Sequence, residues 1–339
     1  MLARAMTNFV IDGSVLEGGG QILRNGVSLS ALLSKPITIQ KIRNSRKPPG
    51  LRNQHRTGLE LAARIASASL IGATNDSTEI EFVPGHINIS NHYHADSVTA
   101  GSTTLLLQIA LPLLLFSPKP APPSTLTLYG GTNATMAPQI DYTKHVFLPF
   151  ARRHFGIGKF SLDIKKRGYF PKGGGEVHFS VEPLSGPDQK LRNITLLERG
   201  KVKWITGIAH SGGLPHAIGQ GMIAGAEKQL AIAGYGKKQV SQTSTSVQSP
   251  GDDDVTVSIQ YVQEPRGLTK GPGSGIVLWA ELEGGGMVGG SAVGTKNKPA
   301  EKVGQEAASQ LIQGLENGGC VDEWLQDQII ILMALAEAH

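Results

Sequence analysis

Apolar and polar positions alternate and recur in a regular way along the first 180 residues. Phe9-Val10-Ile11 closes on Asp12-Gly13, which predicts a short strand and its turn. Ile22, Leu23, Val27, Leu29 and Leu32 then fall on one face at helical spacing, so a helix is expected over residues 21–33, ended by Pro36. Residues 37–42 alternate as a strand, a second helix is expected over 54–70, and strands follow at 79–83 and 86–89. The same order then returns: a helix over 102–115, a strand at 125–129, a helix over 139–155, and strands at 160–166 and 176–181. No residue-level repeat accompanies it, so two related units rest on the pattern of elements alone.

The pattern changes at Leu184-Ser185-Gly186-Pro187-Asp188. Residues 191–280 read strand, helix, strand, strand: a strand over 201–210, a helix over 216–233, strands near Val240 and over 255–262, and a turn at Ser249-Pro250-Gly251-Asp252-Asp253-Asp254. Strands, a helix over 300–315 and a last helix from about Val321 follow. The fold class expected is α/β (α+β), with repeated units of two helices on a four-stranded sheet and a smaller inserted α/β domain. The boundaries expected are 1–185 for two core units, 186–282 for the insertion and 283–339 for a third core unit. The run Ile329-Ile330-Ile331-Leu332-Met333-Ala334-Leu335-Ala336 is strongly apolar, yet the sequence stops at His339. By the pattern of the first two units strands should follow, so the third unit is expected to be incomplete.

Composition narrows the class. Apolar residues make up 40% of the 339 and charged residues 17%, which is the balance of a globular chain rather than a disordered one. A lone cysteine, Cys320, excludes an internal disulfide and is expected to be structural. No apolar run reaches the roughly 20 residues of a membrane span, and the N-terminus lacks the apolar core of a secretory signal. The net charge of +5 is a mild bias, but its distribution is uneven. Lys41, Arg43, Arg46, Lys47, Arg52 and Arg56 crowd one stretch with no acid among them, an arrangement suited to a polyanion or to a solvated face.

Three motifs carry candidate chemistry. In Glu17-Gly18-Gly19-Gly20-Gln21-Ile22-Leu23-Arg24, glycines before a helix leave amides free for an anion, and Arg24 follows one turn in. Glu17 is placed to orient a hydroxyl or hold a metal ion. No Gly-Lys is followed by Ser or Thr, so an ordinary P-loop is excluded. In the stretch from Ile42 to His55, Lys47-Pro48-Pro49-Gly50 stiffens a cationic loop, and Gln54 and His55 fall at the N-terminus of the next helix. The third run, Arg167-Gly168-Tyr169-Phe170-Pro171-Lys172-Gly173-Gly174-Gly175-Glu176-Val177, suits either close anion approach or a hairpin turn. His92 and His94 share one strand face and are expected to meet solvent rather than a metal.

In this order and spacing, the three motifs resemble the RNA 3′-terminal phosphate cyclases. So do Gly130-Gly131-Thr132-Asn133-Ala134-Thr135-Met136-Ala137-Pro138-Gln139-Ile140-Asp141-Tyr142 and the run from Gly319 to Gln328, the likeness being to the eukaryotic-type branch. The resemblance runs nearly end to end and is weakest over 184–269.

The resemblance implies an enzyme of the ATP-dependent ligase class acting in RNA processing. It would convert an RNA 3′-phosphate end to a 2′,3′-cyclic phosphate through adenylated intermediates, using ATP and a divalent metal, Mg or Mn. Gln108, Pro138, Trp324, Asp327 and Gln328 match the family's ATP-binding positions, with Pro138 packing on adenine and Trp324 stacking on the base. Glu17, Arg24, Arg43 and Gln54 match its RNA-phosphate positions. The family's nucleophilic histidine falls beyond the last apolar helix, so it is expected past His339 and no catalytic residue is assigned within the sequence. The partners implied are RNA 3′-phosphate ends and ATP, with no membrane. The compartment implied is the nucleus, with the cytoplasm as alternative, and not the secretory route. The alternative reading is a noncatalytic RNA-binding relative acting in ribosome biogenesis, against which the retained Glu-Gly-Gly-Gly and Arg motifs argue. A distant enolpyruvyl transferase is a third, which Asp327-Gln328 fits poorly.

Overall fold

The computed structural model describes residues 8–15, 19–89, 91–117, 119–185, 190–236, 255–265 and 267–336. The chain divides into two compact units, one built from 1–132 with 156–191, the other from 133–155 with 192–334. Glu17, the strand expected near Val240 and the turn expected at 249–254 lie outside the described residues.

The first unit carries two four-stranded sheets of one topology. β1 (Phe9–Asp12), α1 (Gly20–Leu32), β2 (Ile37–Gln40), α2 (Asn53–Ile65), β3 (Ser69–Ile71) and β4 (Ile80–Val83) give the strand order β1-β2-β4-β3. β1 and β2 run parallel, joined by the crossover helix that parallel pairing requires, and β4 is antiparallel to both β2 and β3. Then β5 (His92–Asp96), α3 (Thr103–Leu114), the short β6 (Phe116–Ser117), β7 (Ser124–Gly130), β8 (Phe160–Lys166), β9 (Gly175–Val181) and the short β10 (Leu184–Ser185) follow. The second sheet has the order β5-β7-β9-β8, again with a parallel first pair and two antiparallel neighbours. The repeat that no residue comparison revealed is therefore a repeat of topology. Leu23, Val27 and Ala31 of α1, Leu59, Ala62 and Ile65 of α2, and Leu106, Ile109 and Leu113 of α3 are buried where these three helices pack.

Two expectations in this unit are corrected. The helix expected over 54–70 ends at Ile65, because Ser67 takes a left-handed φ of 45°, and Ser69–Ile71 becomes a strand paired with β4. No strand forms over 86–89. The Asn88 amide donates to the Ile65 carbonyl at the end of α2, and strand pairing starts instead at His92.

The second unit contains α4 (Ile140–Tyr142), a π-helical stretch over Thr143–Phe147 and α5 (Leu148–Phe155), where the sequence predicts one uninterrupted helix. β11 (Val202–Gly212), α6 (His216–Ile232), β12 (Thr256–Glu264), β13 (Gly273–Leu282), β14 (Met287–Val293) and α7 (Ala300–Glu316) follow. The last element is α8 (Glu323–Leu335). The sheet order here is β12-β11-β13-β14, a different topology from the first two. The boundary expected at 282 falls in the hairpin between β13 and β14, which are antiparallel neighbours in this sheet. Ile205, Ala209, Met222, Ala226, Leu278, Val303, Ala307 and Leu311 form its core.

Candidate functional site

Two regions gather the residues singled out by sequence, one in each unit. In the first unit α1 begins at Gly20, after Gly19, which as a glycine brings no side chain to the cap position. A helix N-terminus carries the positive end of the helix dipole. A methyl group on Gly20 would come 2.9 Å from His55 Nε2 and 3.1 Å from Arg24 Nη1, so an imidazole and a guanidinium converge on this point. Gly20, Arg24, Gln54 and His55 line a recess of about 10 Å³ closed below by Leu23, Leu59, Leu105 and Ile109. That is room for one water-sized group.

The second helix supplies the opposite wall. Arg52 precedes α2, and its backbone N–H donates to His55 Nδ1 at 3.2 Å. In the neutral ring this leaves the proton on Nε2, facing Gly20 and Arg24. Gln54 Oε1 accepts from the Ser102 amide at 2.7 Å, which fixes that side chain. Burial first, and then Arg43, Arg24 and Arg52, hold the His55 pKa down from the ordinary 6.5 to about 4. Arg43 sits at a left-handed φ of 53° and donates through Nη1 to the Gly50 carbonyl at 2.8 Å, closing the Pro-rich loop on itself. Burial, then Arg52 and Arg46, disfavours its charge. Arg52 also pairs with Asp76. Arg24, Arg43 and Gln54 are thus brought together around His55, a residue with no role assigned from sequence. The spacing that could have found it is a side chain three residues after a helix cap, able to bond back to the cap amide.

The Arg167–Glu176 run is shown to be the hairpin between β8 and β9. Tyr169 and Gly173 bridge across it, and Arg167 is buried. A Cβ on Gly168 would lie 2.2 Å from the Gly130 carbonyl oxygen and 2.4 Å from Gly175 N, so close backbone packing demands glycine here. His92 and His94 are exposed, and His92 Nδ1 bonds Thr125 Oγ1 at 2.8 Å. Among the described residues, no group of three or more His, Cys, Asp or Glu side chains is arranged to hold a metal.

In the second unit a cleft of about 290 Å³ is lined by Ala134, Thr135 and Ala137, by Ser291, Ala292 and Val293 of β14, and by Trp324 of α8. Lys298, Glu306 and Gln310 complete it; Lys298 and Glu306 form an ion pair of 2.8 Å, and Gln310 Oε1 accepts from the Ser291 amide at 2.7 Å. The sequence did not single out these three. Pro138 is buried beside Ala137, and Asp327 is exposed. Gln328 is 6% exposed; its Nε2 donates to the Trp324 carbonyl at 2.8 Å, while its Oε1 is buried without a hydrogen-bond partner. Gln108 lies half-buried on α3, in the first unit, whereas Pro138, Trp324, Asp327 and Gln328 belong to the second. Cys320 is half-buried and its thiol donates to the Leu196 carbonyl at 3.6 Å, a packing contact.

The segment 134–138 is stapled at its base. Asn133 Nδ2 donates to Gln139 Oε1 at 2.8 Å, and Gln139 Nε2 donates to the carbonyls of Ile276 and Ala292 at 3.2 and 3.1 Å. The fully buried His210 lies 3.1 Å from both side-chain amides. Such a satisfied buried network specifies one conformation.

The family profile described as RNA 3′-terminal phosphate cyclase matches residues 15–339. The chain is 38% identical to an RNA 3′-terminal phosphate cyclase of Pyrobaculum neutrophilum over 97% of its own length and 86% of the relative's. It is 37% identical to a probable RNA 3′-terminal phosphate cyclase of Dictyostelium discoideum, over 97% of this chain and 71% of that protein. It is 37% identical to an RNA 3′-terminal phosphate cyclase of Drosophila melanogaster, over 96% and 83%.

Proposed function

The chain belongs to the RNA 3′-terminal phosphate cyclase family, and on that premise we propose that it binds an RNA 3′-phosphate at the α1 N-terminus and ATP in the cleft beside Trp324, and that it serves ATP-dependent conversion of the phosphate end to a 2′,3′-cyclic phosphate. The convergence of His55 Nε2 and Arg24 Nη1 on Gly20 supports the first half. Charge-assisted donors from two side chains and a helix dipole meet where a terminal phosphate would sit. The cleft's apolar walls, single indole and few polar groups suit a nucleoside.

The reaction follows from the chemistry of the end group. A phosphate monoester is a poor electrophile because its leaving group would be oxide. Transfer of AMP from ATP onto a 3′-phosphate oxygen, with departure of pyrophosphate, creates a good leaving group. The vicinal 2′-hydroxyl then attacks the 3′-phosphorus, loses its proton and displaces AMP. Arg24, Arg43 and the positive end of the α1 dipole offset the negative charge of the RNA 3′-phosphate. A divalent ion, Mg or Mn, would enter with the ATP phosphates, whose oxygens are ligands such hard ions take. No histidine among the described residues is assigned as an attacking group. A nuclear location rests on the eukaryotic-type resemblance; no helix among the described residues is long and apolar enough to cross a membrane.

The test is binding of a short RNA ending in a 3′-phosphate against the same RNA ending in a 3′-hydroxyl. The phosphorylated end should bind more tightly. Arg24→Ala and Arg43→Ala should each weaken it about tenfold, since a charge-assisted hydrogen bond contributes roughly 1.5–3 kcal/mol. Equal affinity for the two ends, or variants that bind as the unsubstituted protein does, would refute the proposed site. RNA binding that ignores the end group and needs no ATP would favour the noncatalytic reading instead.

A further inference from the structure

The Asp322 carboxylate, immediately before α8, is 6% exposed and accepts hydrogen bonds from three separate elements. Oδ1 accepts from the Leu325 amide at 3.0 Å, which caps α8. Oδ2 accepts from the Gly289 amide of β14 at 2.6 Å. The Tyr142 hydroxyl, at the end of α4, lies 2.8 Å from both oxygens. Burial, then the neighbouring Asp322 charge, raises the Tyr142 pKa well above its ordinary value, so the hydroxyl stays protonated and donates.

α8 and β14 each form a wall of the cleft, and the segment leading into α4 forms a third. Trp324 is two residues after Asp322, Ser291 is two residues after Gly289, and Ala137 is five residues before Tyr142. A methyl group on Gly289 would lie 2.4 Å from Tyr142 Cε2, so the ring and the strand leave no slack between them. We propose that Asp322 is a positioning residue for the nucleotide cleft, setting the distance of the Trp324 indole from the facing walls at Ser291–Val293 and Ala134–Ala137. The inference rests on the nucleotide reading given above.

The carboxylate is required because all of its neighbours are donors. An asparagine would accept at one oxygen but turn an NH₂ group toward either the Gly289 amide or the Leu325 amide. The α8 cap and the β14 contact could not both survive. Removing only the Tyr142 hydroxyl leaves both backbone donors in place and releases one wall.

Calorimetric titration with ATP and Mg²⁺ on the full chain tests this, using Asp322→Asn and Tyr142→Phe. ATP affinity should fall about tenfold for Asp322→Asn and about threefold for Tyr142→Phe. ATP-induced quenching of Trp324 should shrink in parallel. Binding of 3′-phosphorylated RNA should not change. Ile205→Val, a destabilising change in the same unit's core, should leave ATP affinity intact, which separates positioning from general loss of stability. If the unsubstituted chain, and a Trp324→Ala control, show the same absence of ATP binding, the nucleotide reading itself falls. If the unsubstituted chain binds ATP and Tyr142→Phe and Asp322→Asn bind it equally well, the positioning role is overturned. Should Asp322→Asn fail to fold, Tyr142→Phe decides the outcome alone.

Discussion

His55 gives the sharpest quantitative prediction. Its ring is held neutral in the folded chain, with the pKa lowered from 6.5 to about 4 by burial and by Arg43, Arg24 and Arg52. The unfolded chain takes up a proton below pH 6.5 and the folded chain does not until about pH 4. Stability therefore falls as the pH drops through this window, because the unfolded state binds more protons there. The full effect is about 3 kcal/mol below pH 4, and about 2 kcal/mol is lost between pH 7 and pH 5. Urea unfolding at those two pH values should show this loss, and His55→Gln should remove it. A bound phosphate reverses the field around the ring. By linkage, an oligonucleotide 3′-phosphate must raise the His55 pKa and bind more tightly as the pH falls toward the second pKa of the phosphate, about 6. The Cε1–H resonance of His55, followed by NMR with and without the ligand, reads both numbers. A ring that titrates near 6.5 without ligand, or one unmoved by it, would show that Arg24 and Arg43 do not focus charge on this point.

Two further substitutions probe the framework. Gly168→Ala places a Cβ 2.2 Å from the Gly130 carbonyl and should destabilise the first unit by about 1–3 kcal/mol, read as a lower thermal midpoint. Gln139→Ala strands Asn133, His210 and two backbone carbonyls, and should cost about 2–4 kcal/mol in chemical denaturation while loosening the segment 134–138.

Most elements were legible from apolar periodicity because helices such as α1 and α7 bury one face at fixed spacing. The failures have local causes. A helix read through to Leu70 absorbs Ser69–Ile71 because Ala62, Ala66 and Leu70 recur at helical spacing, and nothing in the composition announces the left-handed turn at Ser67. Residues 86–89 alternate as a strand should, but strand pairing needs a partner, and sequence does not say which chain lies alongside. Arg24 and Gln54 were legible from their motifs. Lys298, Glu306 and Gln310 were not, since they reach their cleft through the packing of α7 and of the loop before it rather than through any motif of their own.

The two regions also differ in how their helices begin, and the difference bears on the chemistry proposed for each. α1 starts after Gly19 with no acid among the residues of its own first turn, so the positive end of its dipole favours an anion. α8 starts with Asp322, whose Oδ1 already occupies the Leu325 amide, and Glu323 adds a negative charge to the same turn. A phosphate would meet repulsion there and find a donor already engaged. What α8 can offer is the indole one residue further on, a surface for an uncharged ring. In the proposed reading the phosphate end goes to the glycine-led start of α1, and the nucleobase to the indole beside the buried carboxylate that caps α8.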